Sequence, residues 1–367
     1  MTQDTTVPAN GEHPPDGQSS MSAGTEIQAQ ESLSGAGTPR DASALQRMLG
    51  SSVGRNLGLV IALLILCVVG VVTSGEQFAS TANALTILRL AATIGVVSIG
   101  MTFVITGGGI DLSVGSMVAL ASVWCTTVAT QTMAEDFHWI VIVFAALAVG
   151  TVCGLINGVL VAYGRIVPFI ATLAMFAGAR GLAEIIADRK TQIVGVTEFT
   201  DFFRANVVGI PVLVIIFAVV AVIGWVLLNR TTFGRRTFAV GGNPEAARLA
   251  GIDVRRHTLM LYGLVGLCCG IAAVMIVART TTGSSTHGQL YELDAIAAVV
   301  IGGTLLSGGR GTIVGTVLGV LIFSTLSNVF TQNNLSSSAQ NVAKGLIIVA
   351  AVLLQQRLAA RSNTGST

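Results

Sequence analysis

Charged residues are scarce in this chain. Of its 367 residues, 10% are Asp, Glu, Lys or Arg, whereas 52% are hydrophobic. Soluble domains carry about a quarter charged residues, so this composition excludes a water-soluble fold. The net charge of +2 gives no sign of a nucleic-acid partner, and none is predicted.

Lysine is rarer still, because the chain has only Lys190 and Lys344. A phosphate-binding loop ends in Gly-Lys-Ser/Thr, since the lysine reaches the β- and γ-phosphates of a nucleotide. Lys190 follows Arg189 and Lys344 follows Ala343, so neither fits. We predict that the chain is not an enzyme, and that any ATP hydrolysis driving it belongs to a separate subunit.

Cysteine and histidine offer no site for a metal or for covalent chemistry. The five cysteines lie inside apolar runs, and none has metal-ligand spacing with the four histidines. We therefore expect buried, structural cysteines and predict no metal and no cofactor. The histidines also lack a clustered nucleophile and base, which a membrane-embedded enzyme would need.

Long apolar runs dominate what is present. About twenty apolar residues, or about 30 Å of helix, cross the hydrocarbon core of a membrane. Runs of this size without a charged residue stand at 56–75, 90–110, 112–134, 139–163, 205–229 and 258–278, with less regular candidates at 166–187, 292–306, 312–331 and 339–356. The sequence therefore predicts an all-α, polytopic integral membrane protein of about ten transmembrane helices.

The two ends of the chain differ from this apolar body. The segment 1–45 is rich in Gln, Ser, Thr, Gly and Pro, and its first forty residues contain no aromatic residue. Such a composition buries too little surface to offset the entropy lost on ordering. It also lacks the basic start and apolar core of a signal peptide. We predict a disordered cytoplasmic tail at 1–45 and a short cytoplasmic tail at 358–367.

Glycine is abundant, with 43 residues, and it marks two predicted helix breaks. The first runs from Thr106 through Gly107-Gly108-Gly109 and Asp111 to Ser116, between two apolar runs. Backbone can be irregular at membrane depth where it lines a cavity, and an ionisable residue there suggests function. Asp111 is predicted either to cap the next helix through the Ser113 and Val114 amides or to line a pathway with the Thr106 and Ser113 hydroxyls. The two roles are compatible.

The second break resembles the first. Glu292 and Asp294 begin an apolar run that ends in the glycine-rich segment 302–311. This recurrence suggests an internal two-fold repeat, as many transport folds have. Single polar residues elsewhere in the spans are Asn157 and Gln340, for which hydrogen bonding between helices is the simplest role. Phe169 and Thr172 after Pro168 suit either sugar contact or helix packing.

The most prominent polar segment is 229–257. It holds six arginines and two acids, an excess typical of the cytoplasmic side of a membrane. Within it, Asn243 is suited to cap a short helix that starts at Pro244, and Gly251 is suited to end it. With the N-terminus inside, ten spans place Arg165, this loop, Arg310 and the C-terminal arginines on one side, and Glu135 and Asp136 on the other. Arg189, Lys190 and Arg204 depart from the pattern.

Four segments together resemble a known family. They are Gly107-Gly108-Gly109-Ile110-Asp111-Leu112-Ser113-Val114-Gly115-Ser116, Pro168-Phe169-Ile170-Ala171-Thr172-Leu173, the loop 241–252, and the string from Tyr291 to Thr304. They are similar to permeases of bacterial ribose, xylose and galactose-type ATP-binding-cassette importers. The resemblance covers about residues 50–357 in order. Gly109 stands where related chains often carry a larger residue, and the long N-terminal tail is not a feature of the family.

The resemblance implies a transport subunit in the bacterial inner membrane, with 46–357 as the permease domain. It implies a homodimer or heterodimer of permease chains in the lipid bilayer, fed by an extracytoplasmic sugar-binding protein and powered by a cytoplasmic ATP-binding subunit. Predicted pathway residues are Thr106, Asp111, Ser113, Asn157, Phe169, Thr172, Glu292 and Asp294. Predicted ATPase-coupling residues are Asn243, Pro244, Glu245, Ala246, Ala247 and Arg248, on a helix from Pro244 to Ala250.

Two questions stay open at this point. An ion-coupled secondary transporter of a small polar solute would also need broken helices and intramembrane acids, although it gives no reason for a helix in the loop 229–257. The transported sugar is not defined either, since ribose, xylose, galactose, fructose or inositol would each suit hydroxyl-rich, glycine-lined walls.

Overall fold

A computed structural model describes residues 52–363 of the protein. The predicted tail 1–45 lies outside these residues. The described helices are α1 (Ser52–Ala79), α2 (Thr81–Thr106), α3 (Val114–Cys125), α4 (Val128–Asp136), α5 (Ile140–Ala162), α6 (Pro168–Ala187), α7 (Thr197–Arg204), α8 (Val212–Arg230), α9 (Thr232–Gly242), α10 (Pro244–Leu249), α11 (Val254–Thr280), α12 (Tyr291–Ile301), α13 (Ile313–Gln332) and α14 (Ser337–Asn363). Four two-residue strands are β1 (Gln192–Ile193), β2 (Asn206–Val207), β3 (Ile210–Pro211) and β4 (Thr282–Gly283).

The predicted all-α polytopic fold is confirmed. The predicted number of about ten spans agrees only approximately with the structure. In the described part of the chain, seven helices are long and apolar enough to cross a membrane, and the bent pair α3–α4 makes eight. The short strands form only two antiparallel pairs, β1 with β4 and β2 with β3. Helix α14 runs to Asn363, past the predicted span 339–356.

Three predicted spans differ from the observed helices. The run 112–134 bends by 55° between α3 and α4, where the Thr127 side chain accepts from the Thr130 amide and starts a new helix. The run 205–229 begins as a β-hairpin, because Gly209 has a φ of +79° and turns the chain before α8. In the run 292–306, the helix stops at Ile301, where the glycine-rich segment begins.

Helices α2 and α11 form the centre of the bundle. Their apolar side chains are buried along most of their length, and α11 packs against α5, α2 and α3. Glycines bring α5 and α11 into backbone contact, since a Cβ at Gly154 would lie 2.8 Å from the Cα of Gly266. Close approach of this kind is typical of membrane helices with small residues at the interface. Four of the five cysteines are buried here and form no disulfide, as predicted, whereas Cys67 of α1 is half-buried.

Contacts define two faces of the bundle. At the arginine-loop face, the end of α2 meets α9, and Gly309 in the segment 302–312 donates to the Thr106 carbonyl at 2.9 Å. At the opposite face, Gln131 of α4 donates to the Ile193 carbonyl at 3.0 Å. There, too, Asn83 of α2 and Asn328 of α13 exchange two amide hydrogen bonds of 3.1 and 2.8 Å.

Helices α3 and α12 are half-length elements in the interior. With 12 and 11 residues, they are about 18 and 16 Å long, too short to cross about 30 Å of hydrocarbon. The segment 282–290 enters from the opposite face and packs against the start of α3, since a Cβ at Gly115 would collide with the Gly288 carbonyl. The N-terminal ends of both half-helices therefore meet inside the bundle.

Candidate functional site

The break between α2 and α3 is organised by Asp111. Its Oδ1 accepts from the Ser113 amide at 2.8 Å and from the Ser113 hydroxyl at 2.5 Å. The Ser113 hydroxyl in turn accepts from Asn157 of α5 at 2.9 Å. Asp111 thus forms the turn that starts α3, as short polar side chains do at turns. The predicted bond to the Ser113 amide is present, whereas Val114 is not among its partners.

Glu292 contacts the same turn of α3 from the other side. It is 7% exposed, and a Cβ at Gly115 would lie 2.5 Å from its Oε2. Four buried oxygens around this turn have no hydrogen-bond partner among residues 52–363: Asp111 Oδ2, Ser116 Oγ, Asn157 Oδ1 and Glu292 Oε2. The two carboxylate oxygens and the amide oxygen can only accept hydrogen bonds, whereas the Ser116 hydroxyl can also donate. We name Asp111, Ser113, Ser116, Asn157 and Glu292 the α3-turn cluster, and its free acceptors suit a ligand rich in hydroxyl donors.

The structure separates Asp294 from this cluster. Residues two positions apart point in directions about 200° apart on a helix, so Asp294 leaves α12 on a different side from Glu292. It pairs with Lys344 of α14, with Nζ 3.0 Å from Oδ2. Both side chains are mostly buried. Removing one partner of such a pair would strand the other charge, which explains why the second of the two lysines stands inside an apolar run.

The other predicted pathway residues lie elsewhere. The Thr172 hydroxyl bonds to the Pro168 carbonyl of its own helix at 2.9 Å. Phe169 is 49% exposed on the outside of the bundle. Thr106 is buried at the arginine-loop face, where its carbonyl accepts from Gly309. Direct hydrogen bonds therefore connect only Asp111, Ser113 and Asn157 of the predicted set, and Glu292 is adjacent to them.

Two residues of the interior were not singled out by sequence reasoning. The Tyr262 hydroxyl donates to the Ile110 carbonyl at 3.0 Å and holds the first break against α11. Arg180 of α6 donates to the carbonyls of Ser285 and His287 (the latter at 3.0 Å) and holds the segment 282–290. Tyr262 is a single phenolic hydroxyl within an apolar run, whereas Arg180 shares the run 166–187 with Glu184, and both charges made that run a less regular candidate.

The predicted short helix in the arginine loop is present as α10. The Asn243 side chain accepts from the Ala246 amide at 2.9 Å, Pro244 is the first helical residue, and Gly251 has a φ of +83°. Arg248 and Glu245 form an ion pair at 2.6 Å, with both side chains 66% exposed. Their hydrogen bond lowers the pKa of Glu245 and raises that of Arg248. Since Ala247 is buried, α10 rests on the bundle and presents a charged outer face.

A junction of glycines connects this helix to both breaks. A Cβ at Gly241 would collide with the Thr106 carbonyl and lie 2.7 Å from the Gly309 amide nitrogen. A Cβ at Gly308 would lie 2.9 Å from the Cα of Gly108. We name Gly108, Gly241, Gly308 and Gly309 the glycine junction. Beside it lies a cavity of about 500 Å³, lined by Gly107–Gly109, Tyr262, Pro244 and their neighbours.

The described residues contain no group of three metal-ligating side chains. A bundle of apolar helices, with buried polar breaks and a short charged helix at one face, defines a polytopic membrane transport protein. Residues 83–354 match the family described as branched-chain amino acid transport system / permease component. The chain belongs to this family.

Named relatives agree with that membership. The chain is 42% identical over 311 residues to the ribose import permease protein RbsC of Bacillus subtilis, covering 84% of this chain and 94% of the relative. It is 36% identical over 283 residues to the D-allose transport system permease protein AlsC of Escherichia coli, covering 77% and 86%. It is 31% identical over 329 residues to the galactose/methyl galactoside import permease protein MglC of Haemophilus influenzae, covering 85% and 97%. No solved structure matches the chain.

Proposed function

We propose that this chain is the permease subunit of an ATP-binding-cassette importer and carries a monosaccharide by alternating access. Its partners are a separate cytoplasmic ATPase, an extracytoplasmic sugar-binding protein and a second permease chain. The observation that carries the proposal is helix α10, a short, capped and charged helix joined to both intramembrane breaks through the glycine junction.

The mechanical part of the proposal rests on rigidity. A push on α10 is transmitted through Gly241, because its backbone touches both the end of α2 and the segment after α12. Gly241 has no side chain that could yield by changing rotamer. The ATPase would dock on the face formed by Asn243, Glu245 and Arg248. The arginine excess of this loop supports a cytoplasmic position for it, with both chain termini on the same side.

The substrate class rests on the α3-turn cluster and on the relatives. Unpaired carboxylate, amide and hydroxyl oxygens in the interior are suited to accept hydrogen bonds from sugar hydroxyls. The named relatives import ribose, allose or galactose. A pentose or hexose is therefore the proposed cargo, with Asp111, Asn157 and Glu292 as its candidate contacts.

The energy source is tested in membrane vesicles that contain the chain, its ATPase and its binding protein. Radiolabelled ribose, allose and galactose are supplied with ATP on the cytoplasmic side, or with a proton or sodium gradient and no ATP. We expect uptake of one of these sugars with ATP alone. Uptake that follows the ion gradient instead would establish a secondary transporter and overturn the proposal.

Helix α10 is tested by exchanging its charges in the double variant E245R/R248E. The exchange keeps an ion pair, and exposed pairs contribute little to stability, so we expect normal amounts of protein in the membrane. Docking to the ATPase should fail because the pattern of charge is reversed, with uptake below about a tenth of wild type. The matched control D188K/K190D exchanges the exposed pair Asp188–Lys190 at the opposite face. Undiminished uptake by the α10 variant would remove this helix from the mechanism.

A further inference from the structure

Three arginines from three helices converge on one cavity at the opposite face. Arg89 belongs to α2, Arg204 ends α7 and Arg279 lies in the last turn of α11. Together with Phe203, Pro211 and Leu213 they line a cavity of about 220 Å³. We name this cavity the arginine pocket. No part of the proposed transport mechanism uses it.

The arginine pocket lacks a counter-charge. Four ion pairs are present among the described residues, and none involves Arg89, Arg204 or Arg279. Arg89 has one long hydrogen bond, 3.4 Å to Asn206 Oδ1, and Arg279 has the Tyr291 hydroxyl beside it. In the described part of the chain, the guanidinium group of Arg204 has no hydrogen bond or ion pair, even with the Asp201 carboxylate one helical turn before it.

Three arginines without an acidic partner among the described residues suit an anion as ligand. Guanidinium groups remain protonated in proteins. Arg89 and Arg279 are half-buried, so water hydrates their charges only in part. Burying charge without a partner is costly. The planar fork of a guanidinium binds phosphate and carboxylate oxygens with two parallel hydrogen bonds. A tetrahedral oxyanion is therefore the kind of ligand that the pocket fits.

The surroundings of the pocket favour a lipid as the source of that oxyanion. Its inner wall is formed by the buried side chains of Phe203 and Leu213. Beside it, the β2–β3 hairpin exposes Val207, Val208 and Ile210, and Val208 is 96% exposed with a φ of +51°. Exposed apolar side chains suit the acyl chains of a lipid, and the guanidinium groups of the pocket suit the phosphate of its headgroup. We propose that the arginine pocket binds the phosphate of an anionic phospholipid from the leaflet at the opposite face.

The test uses the full chain, purified in a maltoside detergent, with phosphatidylglycerol as the probe and phosphatidylcholine as the zwitterionic comparison. Binding is measured by native mass spectrometry and by the rise in unfolding temperature. We expect phosphatidylglycerol to bind at least about tenfold more tightly than phosphatidylcholine. The variant R204Q/R279Q should lose this preference, because two charge-assisted hydrogen-bonding groups are gone. The variant R204K/R279K keeps the charge without the fork and should retain part of it.

The matched control is R189Q/K190Q, which removes the same charge from exposed positions at the same face. We expect less than a twofold change in lipid affinity for it. An equal loss in this control would mean that surface charge alone attracts the lipid, and would overturn the proposal. If the double glutamine variant does not remain monodisperse, R204Q alone gives the answer, since Arg204 has no protein partner to lose.

Two further outcomes would also overturn it. Inorganic phosphate at millimolar concentration that stabilises the protein and displaces phosphatidylglycerol would identify a site for a soluble oxyanion. If R204Q/R279Q no longer binds an added sugar-binding protein but keeps its lipid affinity, the ligand of the pocket is a carboxylate of that partner. The proposal does not depend on which solute the chain carries, so its failure leaves the transport proposal untouched.

Discussion

At the scale of single residues, Asp111 has two separable properties. Its Oδ1 is used by the backbone turn that starts α3, whereas its buried Oδ2 has no partner. A carboxylate that only formed the turn would leave Oδ2 in a costly state. We therefore propose that Oδ2 accepts a hydrogen bond from a hydroxyl of the transported sugar.

This reasoning predicts that Asp111→Asn lowers sugar uptake about tenfold, or about 1.4 kcal/mol. Asparagine keeps an oxygen for the Ser113 amide, so the turn and the amount of protein in the membrane should be unchanged. It replaces Oδ2 with a donor and removes the charge that strengthens hydrogen bonds to a sugar hydroxyl. Uptake per amount of membrane protein is the measurement.

Two controls accompany the Asp111 substitution. Asp111→Ala removes both oxygens and should also reduce the amount of folded protein, which separates the turn from transport. Asp201→Asn, at an exposed position of α7, should have no effect. Normal uptake by Asp111→Asn at normal expression would leave Asp111 with the turn as its only role.

Sequence reasoning singled out residues whose polar groups interrupt an apolar run, and their role in a transport pathway stays a prediction. Asp111, Asn157 and Glu292 were identified because an isolated polar group in a membrane needs a reason, and the structure brings them to one turn. Phe169 and Asp294 were predicted for the same pathway, but their directions depend on helix rotation. The rotation of a helix depends on packing against neighbours that are distant in the sequence, so the local sequence does not predict it.

At the scale of elements, local sequence determined α10 and missed the β2–β3 hairpin. Helix α10 has its cap, its first proline and its terminating glycine within nine residues, so the predicted helix Pro244–Ala250 differs by one residue from the observed one. In the hairpin, Val207, Val208 and Ile210 extend the apolar run of α8 and hide the turn at Gly209. The glycine junction could not be predicted, because its members come from three segments that are distant in the sequence: the first break, the end of α9 and the segment after α12.

The glycine junction yields a matched pair of substitutions at adjacent positions. Gly241→Ala should place its Cβ against the Thr106 carbonyl and the Gly309 nitrogen, which must then separate. Gly242→Ala has open space, with its nearest neighbour 4.0 Å away. We expect uptake to fall at least about tenfold for Gly241→Ala and less than twofold for Gly242→Ala.

The readout for this pair should include ATPase activity of the assembled transporter as well as uptake. If the junction transmits force, Gly241→Ala should still bind the ATPase through the unchanged outer face of α10. ATP hydrolysis would then continue without matching sugar uptake. Equal behaviour of the two alanine variants would show that the close approach at Gly241 has no mechanical role.

At the scale of the whole molecule, the half-helices α3 and α12 connect the two faces. They meet near Gly115 and Gly288 in the interior. The break before α3 and the break after α12 both reach the glycine junction, while the segment 282–290 leads to the opposite face. We therefore propose that a displacement of α10 reaches the opposite face through these two short elements, while the long helices α2 and α11 stay packed at the centre.

This arrangement predicts that fixing the segment 282–290 to α3 stops transport. A Cβ at Gly283 would lie 2.9 Å from the Cβ of Thr126, which is closer than the about 3.5–4.5 Å of a relaxed disulfide. The pair T126C/G283C can therefore be cross-linked once this segment moves back from α3 by less than about 1 Å. Oxidation should reduce uptake at least about tenfold, and a reductant should restore it, because alternating access requires the opposite face to open. The reference is the same double variant kept reduced, because a Cβ at Gly283 would also lie 2.7 Å from the Ser122 carbonyl oxygen and lowers uptake by itself if this contact matters. The single variant T126C, oxidised in the same way, should transport normally, since the described native cysteines near this site are buried. Full uptake by a completely cross-linked protein would mean that this segment stays fixed throughout the cycle, and the movement would then have to be assigned to the long helices.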